Sequence, residues 1–199
     1  MALYGDGRGL GTFLAVVTGL LALHLVASAG SFTLTEPRLS RIAITPASTL
    51  SMWWRHLWAG LFHTTPLHIL FNLALFSLAF PFAIRGHTPL ATFLTGYAIG
   101  PIVVLLLHLA LVRPLAGAGI PYAVGAMHVP LVGFSVIAYS IAGMATMAIP
   151  SPALRLGTVV LVLAFEVTAG VLLRATGPFI FVYHLAGFST GMVLRVVRP

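Results

Sequence analysis

Apolar residues run through this chain in long unbroken stretches, separated by short polar, glycine and proline punctuation. The runs do not alternate with polar residues, so the pattern favours membrane helices over the strands of a barrel. At about 20 apolar residues per crossing, it predicts six spans, at residues 10–29, 57–84, 89–112, 127–149, 154–173 and 178–197. Turn signals separate them: Arg85-Gly86-His87, Arg113-Pro114, Pro150-Ser151-Pro152 and Thr176-Gly177-Pro178. Ala27-Ser28-Ala29 has the small-residue spacing of a signal-peptidase site. The apolar run before it is long for a signal sequence and is preceded by a single basic residue, Arg8, so the segment is read as a retained span.

Residues 31–52 interrupt this pattern with Glu36, Pro37, Arg38, Arg41 and Pro46. Loops of such length are usually functional or partly structured. Ile42, Ile44, Leu50 and Met52, followed by Trp53-Trp54, make the segment amphipathic, which places it in the membrane interface between the first and second spans. With Trp58 these tryptophans fit an aromatic belt, and Arg55 anchors the loop or a lipid headgroup.

Composition agrees with a bilayer environment. The 199 residues are 59% hydrophobic and 7% charged, against about 45–50% and about 25% in soluble domains. Without cysteine, disulfides, thiolate catalysis and cysteine-bound metals are excluded. The +7 formal charge comes from arginines scattered singly, which form no polybasic patch and suggest no nucleic-acid partner. Those arginines divide evenly between the two faces of a six-span chain, so charge leaves the orientation open.

Polar residues inside the spans are costly and therefore informative. In an up-and-down bundle the second, fourth and sixth spans run in one direction. His68, Ser135 and His184 then lie roughly 9–17 Å below the same face. His68 and Asn72 are four residues apart and share a helix face, about 40° from each other. His63 falls about 140° from His68 and points elsewhere, a spacing unsuited to a shared metal, and no His-Glu-x-x-His run occurs. No metal or other cofactor is expected. Tyr139 is one turn beyond Ser135 on its face, where its ring can hold a neighbouring imidazole, whereas Ser140 faces away. Gly133, Gly143, Gly187 and Gly191 offer small faces for close helix approach. His24 and His108 are read as structural.

At these residues the chain resembles the rhomboid intramembrane serine proteases. The family's His-x4-His-x3-Asn pattern is present from His63 through His68 to Asn72, and its Trp-Arg pair as Trp54-Arg55. Its Gly-x-Ser is Gly133-Phe134-Ser135, its tyrosine Tyr139, and its histidine followed by glycines His184, Gly187 and Gly191. Four separated motifs in order cover essentially the whole chain, read as one domain over residues 1–199.

The resemblance implies an all-α, six-helix membrane bundle with a long interfacial loop between helices 1 and 2. It implies Ser135 as nucleophile and His184 as general base, then acid. His68 and Asn72 would donate to the oxyanion together with the backbone N–H groups of Phe134 and Ser135, and Tyr139 would orient His184. His63, Trp54, Arg55, Gly133, Gly187 and Gly191 would be structural. It further implies transmembrane protein substrates and a multi-pass monomer in the cell membrane, its site opening to the extracytoplasmic side.

Two positions depart from the family. Val136 follows the nucleophile where glycine is usual, and a β-branched side chain there predicts crowding around Ser135. Glu166, the acid within the predicted spans, stands where apolar residues are usual; orienting a histidine, gating water, or a neutral carboxyl near the interface are all open to it. Two rival functions follow from the same residues. One is a catalytically inactive rhomboid-like protein that binds membrane helices. The other is a haem-binding bundle using His68 and His184. A transporter would show paired discontinuous helices or an inverted repeat, and neither is evident.

Overall fold

A computed structural model describes residues 7–31, 33–131, 133–172 and 178–197. Leu173, Arg174, Thr176, Gly177 and Arg198, which enter the predicted spans, turn and charge count, lie outside the described residues. The chain is helical: α1 (Gly7–Ala27), α2 (Glu36–Ile42), α3 (Arg55–Ala59), α4 (Pro66–Ala83), α5 (Pro89–Leu107), α6 (Arg113–Gly117), α7 (Pro121–Ala126), α8 (Ser135–Met147), α9 (Pro152–Leu172) and α10 (Pro178–Val197). A π-helical turn, His108–Val112, joins α5 to α6. Among the described residues there is no sheet, only an isolated bridge between Ile44 and Leu131.

Five helical stretches are long and apolar enough to cross a membrane: Gly7–Ala27, Pro66–Ala83, Pro89–Gly117, Pro152–Leu172 and Phe179–Val197. With the composition they make this a multi-pass membrane protein. The predicted fourth span behaves differently. Of residues 127–149 only Ser135–Met147 is α8, 13 residues long, or about 20 Å at 1.5 Å per residue. That is short of a hydrocarbon core about 30 Å thick. α8 is instead the centre of the molecule. Every residue from Ser135 to Thr146 is buried, and the helix packs chiefly on α10 and α4, then on α5.

Local chemistry explains where α8 begins. Pro130 has no N–H to donate to a helix, and Leu131 exchanges hydrogen bonds with Ile44 of the first loop at 2.8 and 3.2 Å. Gly133 has φ +133°, a conformation open to glycine and rarely to other residues. Its N–H donates to Ala59 O at 3.0 Å. Helical geometry therefore starts only at Ser135.

The predicted second span is also divided. α3 ends at Ala59, and α4 starts at Pro66, with Thr65 capping it by accepting the His68 N–H at 3.2 Å. His63 consequently precedes the helix rather than riding on it, and the helical phase used to separate it from His68 does not apply. The first loop is tied down at several points. Arg55 donates to Ser40 O at 2.9 Å and to Ala43 O at 3.3 Å. Thr49 Oγ1 meets His108 Nδ1, and Tyr97 OH donates to Leu57 O. Trp53, Trp54 and Trp58 are exposed.

α8 and α10 approach at glycine. A Cβ on Gly143 would collide with the Phe188 carbonyl, and one on Gly191 with the Ser140 carbonyl. Both obstacles are backbone, so neither can yield. Close approach of this kind gains dispersion contacts that lipid cannot supply equally well. At the far end of α4, Arg195 of α10 donates to Ala83 O and Arg85 O, placing a cation at that helix's C-terminus.

Candidate active site

Three helix beginnings converge on one cavity of about 250 Å³. Ser135 is the first residue of α8, His68 the third of α4, and His184 lies within the first two turns of α10. All three line the cavity, together with Gly133, Val136 and a largely apolar wall that includes Pro101, Val104, Leu131 and Ile180. As the opening residue of α8, Ser135 has a backbone N–H with no acceptor inside its own helix. The position combines a hydroxyl with a donor-rich helix terminus.

His184 is held on two sides. Its ring stacks on Tyr139 with centroids 4.5 Å apart and planes inclined by 6°. Its Nδ1 lies 2.8 Å from Glu166 Oε2 of α9. Tyr139 OH also donates to that oxygen, and Glu166 is buried. With Nδ1 committed to the carboxylate, Nε2 is the nitrogen left for other chemistry. Among the described residues no direct hydrogen bond joins Ser135 Oγ to His184; the two side chains share the cavity.

The His68 ring lies against the Gly133 backbone, so that a Cβ on Gly133 would sit 2.9 Å from its Cε1 and Nε2 and 3.6 Å from Ser135 Oγ. Glycine is thus required at 133 for its φ and for the space it leaves. His68 Nδ1 pairs with Thr64 Oγ1 at 3.2 Å. Asn72, a turn further along α4, is buried with Nδ2 unpartnered among the described residues. It is not among the residues lining the cavity. His63 accepts the Phe134 N–H through Nε2 at 3.4 Å. That bond draws the backbone before Ser135 into place and occupies the Phe134 donor expected for an oxyanion. His63 also stands edge-on between His24 and His68, at 5.9 and 5.1 Å between centroids.

Comparison with protein-family models, with curated proteins and with solved structures finds no match. The meaning of the site therefore rests on its own geometry.

Val136 is accommodated without displacing Ser135. A Cβ on Gly187 would lie 2.9 Å from Val136 Cγ1 and from its carbonyl oxygen, so α10 presents bare backbone where the valine projects. The crowding predicted for a β-branched residue is relieved by the glycine opposite. Ser140 faces away from the cavity and donates to Val136 O at 2.8 Å, an ordinary arrangement for a buried helical serine.

Several cavity residues escaped sequence reasoning. Tyr183 and His56 line the wall. His56 is buried, which depresses its pKa from 6.5 to about 4 by penalising the charged ring. It directly follows Trp54-Arg55 in the chain, a stretch whose tryptophans are exposed. For Glu166 the sequence left three roles open, of which orienting a histidine matches its pairing with His184. Among the described residues no three His, Asp or Glu side chains group as a metal site.

Proposed function

We propose that the protein is a rhomboid-type intramembrane serine endopeptidase, with α8 as the sixth, central helix of the bundle. The observation carrying this reading is the shared cavity. A helix-opening serine and an imidazole fixed by stacking and a carboxylate face the same space from separate helices.

In this mechanism Ser135 Oγ attacks the scissile carbonyl carbon while its proton passes to His184 Nε2. The tetrahedral oxyanion takes donors from the Ser135 N–H and from His68, both at the cavity, while Asn72 lies outside its lining. Collapse transfers the proton from His184 to the leaving amine and leaves an acyl-serine, which water then hydrolyses by the reverse proton path. The Ser135–His184 hydrogen bond forms as substrate closes the cavity, since such bonds are often long before substrate binds. Substrates are single membrane helices that unwind near the extracytoplasmic face, because a hydrogen-bonded helix hides its carbonyls; a small residue precedes the cut. The enzyme works as a monomer in the cell membrane.

A second reading, a helix-binding protein without hydrolytic activity, is favoured by the missing Ser135–His184 bond and by the engagement of the Phe134 N–H with His63. One experiment separates the two. Purified protein in lipid vesicles is treated with a fluorophosphonate probe and offered single-span substrates with helix-destabilising residues near one end. The protease labels and cleaves, and Ser135→Ala does neither. Absence of both in the native protein, across several substrates, leaves the binding protein.

A further inference from the structure

We infer that Glu166 is a positioning residue that turns the serine–histidine pair into a Ser135–His184–Glu166 triad braced by Tyr139. The inference rests on the protease reading and adds to it a component of the catalytic machinery. Its geometric basis is independent of Ser135. Glu166 lies in α9 and, unlike Ser135, is not among the residues lining the cavity. Its Oε2 receives both the His184 Nδ1 at 2.8 Å and the Tyr139 hydroxyl.

Each contact has a separate consequence. A carboxylate facing Nδ1 holds the proton on that nitrogen, so the lone pair resides on Nε2, the tautomer a general base for Ser135 requires. When Nε2 takes the serine proton, the imidazolium meets a fixed negative charge at its far edge. The carboxylate stays ionised, the Nδ1 proton stays on nitrogen, and the serine proton travels on to the leaving amine. The Tyr139 hydroxyl keeps the carboxylate oxygen aimed at the ring while its aromatic face limits how far the ring can tilt. In a hydrocarbon setting an acid with no such partners would be costly. Here the two donors that make burial tolerable are the same groups that align the base.

Glu166 from α9 and Tyr139 from α8 contact the His184 ring, and the other titratable groups lining its cavity are His68 from α4, His56 from α3 and Tyr183 from its own helix. Glu166 is the acid of this set. Removing its charge therefore acts on the protonated form of His184 more than on any other group near the site.

The test compares wild type, Glu166→Gln and Tyr139→Phe in vesicles, with pH profiles of kcat and KM. Glu166→Gln keeps the shape and removes the charge. It is expected to lower kcat by about 10²–10⁴-fold with KM little changed, and to move the low-pH limb of kcat/KM to lower pH, because the imidazolium has lost its counter-charge. Tyr139→Phe keeps the stacked ring and is expected to cost roughly tenfold in kcat. An active wild type whose Glu166→Gln variant shows an unshifted low-pH limb overturns the triad and leaves the protease reading intact. A wild type that neither labels nor cleaves overturns both. A spectroscopic readout stands apart from turnover: in histidine-labelled Ser135→Ala protein, a downfield Nδ1 proton resonance from His184 is expected, and it disappears in the Glu166→Gln double variant. Its persistence there overturns the inference even if that variant folds poorly enough to lose activity.

Discussion

Gly133 shows how much one residue carries at this site. It turns the chain at φ +133° immediately before α8, and it leaves room for the His68 ring beside Ser135. Gly133→Ala is expected to cost about 1–3 kcal/mol through backbone strain alone. The added methyl must also push the His68 ring away, so turnover should fall further than stability. Denaturation midpoints compared with kcat will show whether the two losses separate. The motif Gly133-Phe134-Ser135 was legible in the sequence, and so was the spacing that places Tyr139 on the serine's face. The partner of the Phe134 N–H was not. His63 reaches it from a different part of the chain, and no spacing rule reports a contact between residues 71 positions apart.

At the scale of the helices, the α8–α10 crossing is the most exacting contact in the molecule. A Cβ at Gly143 meets the backbone of Phe188 and Met192, whereas one at Gly157 in α9 meets nothing within 4 Å. The two glycines should therefore respond oppositely to the same substitution. Gly143→Ala forces the helices apart and is expected to destabilise by about 3 kcal/mol or more, as overpacking against unyielding neighbours does. Gly157→Ala should be neutral or stabilising by up to about 1 kcal/mol, since alanine is the better helix former. Unfolding of both variants in mixed micelles checks the contrast. Similar losses at both positions would show that the crossing is not limited by backbone contact. Helix limits were readable from the hydrophobic runs where proline or arginine marked them. They were misjudged at residues 60–65 and 127–134, where the predicted spans continue but the backbone takes up helical geometry only at Pro66 and Ser135.

The whole molecule places its polar side chains inward and much of its apolar surface outward. His24, His63, His108, Asn72, Ser140 and Glu166 are buried, while Val26, Leu78, Leu161, Val171 and Val193 are exposed on the long helices. This inversion suits a chain surrounded by lipid. It also makes stability sensitive to acid. His56 is buried against His108, with ring centroids 5.5 Å apart, and burial depresses its folded pKa from 6.5 to about 4. The folded state therefore binds fewer protons than the unfolded state between those values. Stability is complete above pH 6.5 and declines as pH falls toward 4, by about 1–3 kcal/mol from this group. His56→Phe should flatten that part of the pH profile, measured by thermal or denaturant unfolding in micelles. An equally steep decline in the variant would assign the sensitivity to other groups.

The sequence by itself determined the membrane setting, the long helices and the polar residues worth attention. These follow from local rules: run length sets crossing capacity, glycine and proline set breaks, and a period of about 3.6 residues sets which side chains share a face. Tertiary structure alone decided which faces meet. It enclosed α8 instead of exposing it, set Val136 against the bare backbone of Gly187, and brought Glu166 and Tyr139 together on His184. A helix's phase is written in its own residues, but its rotation against its neighbours is a compromise among all the surfaces it touches.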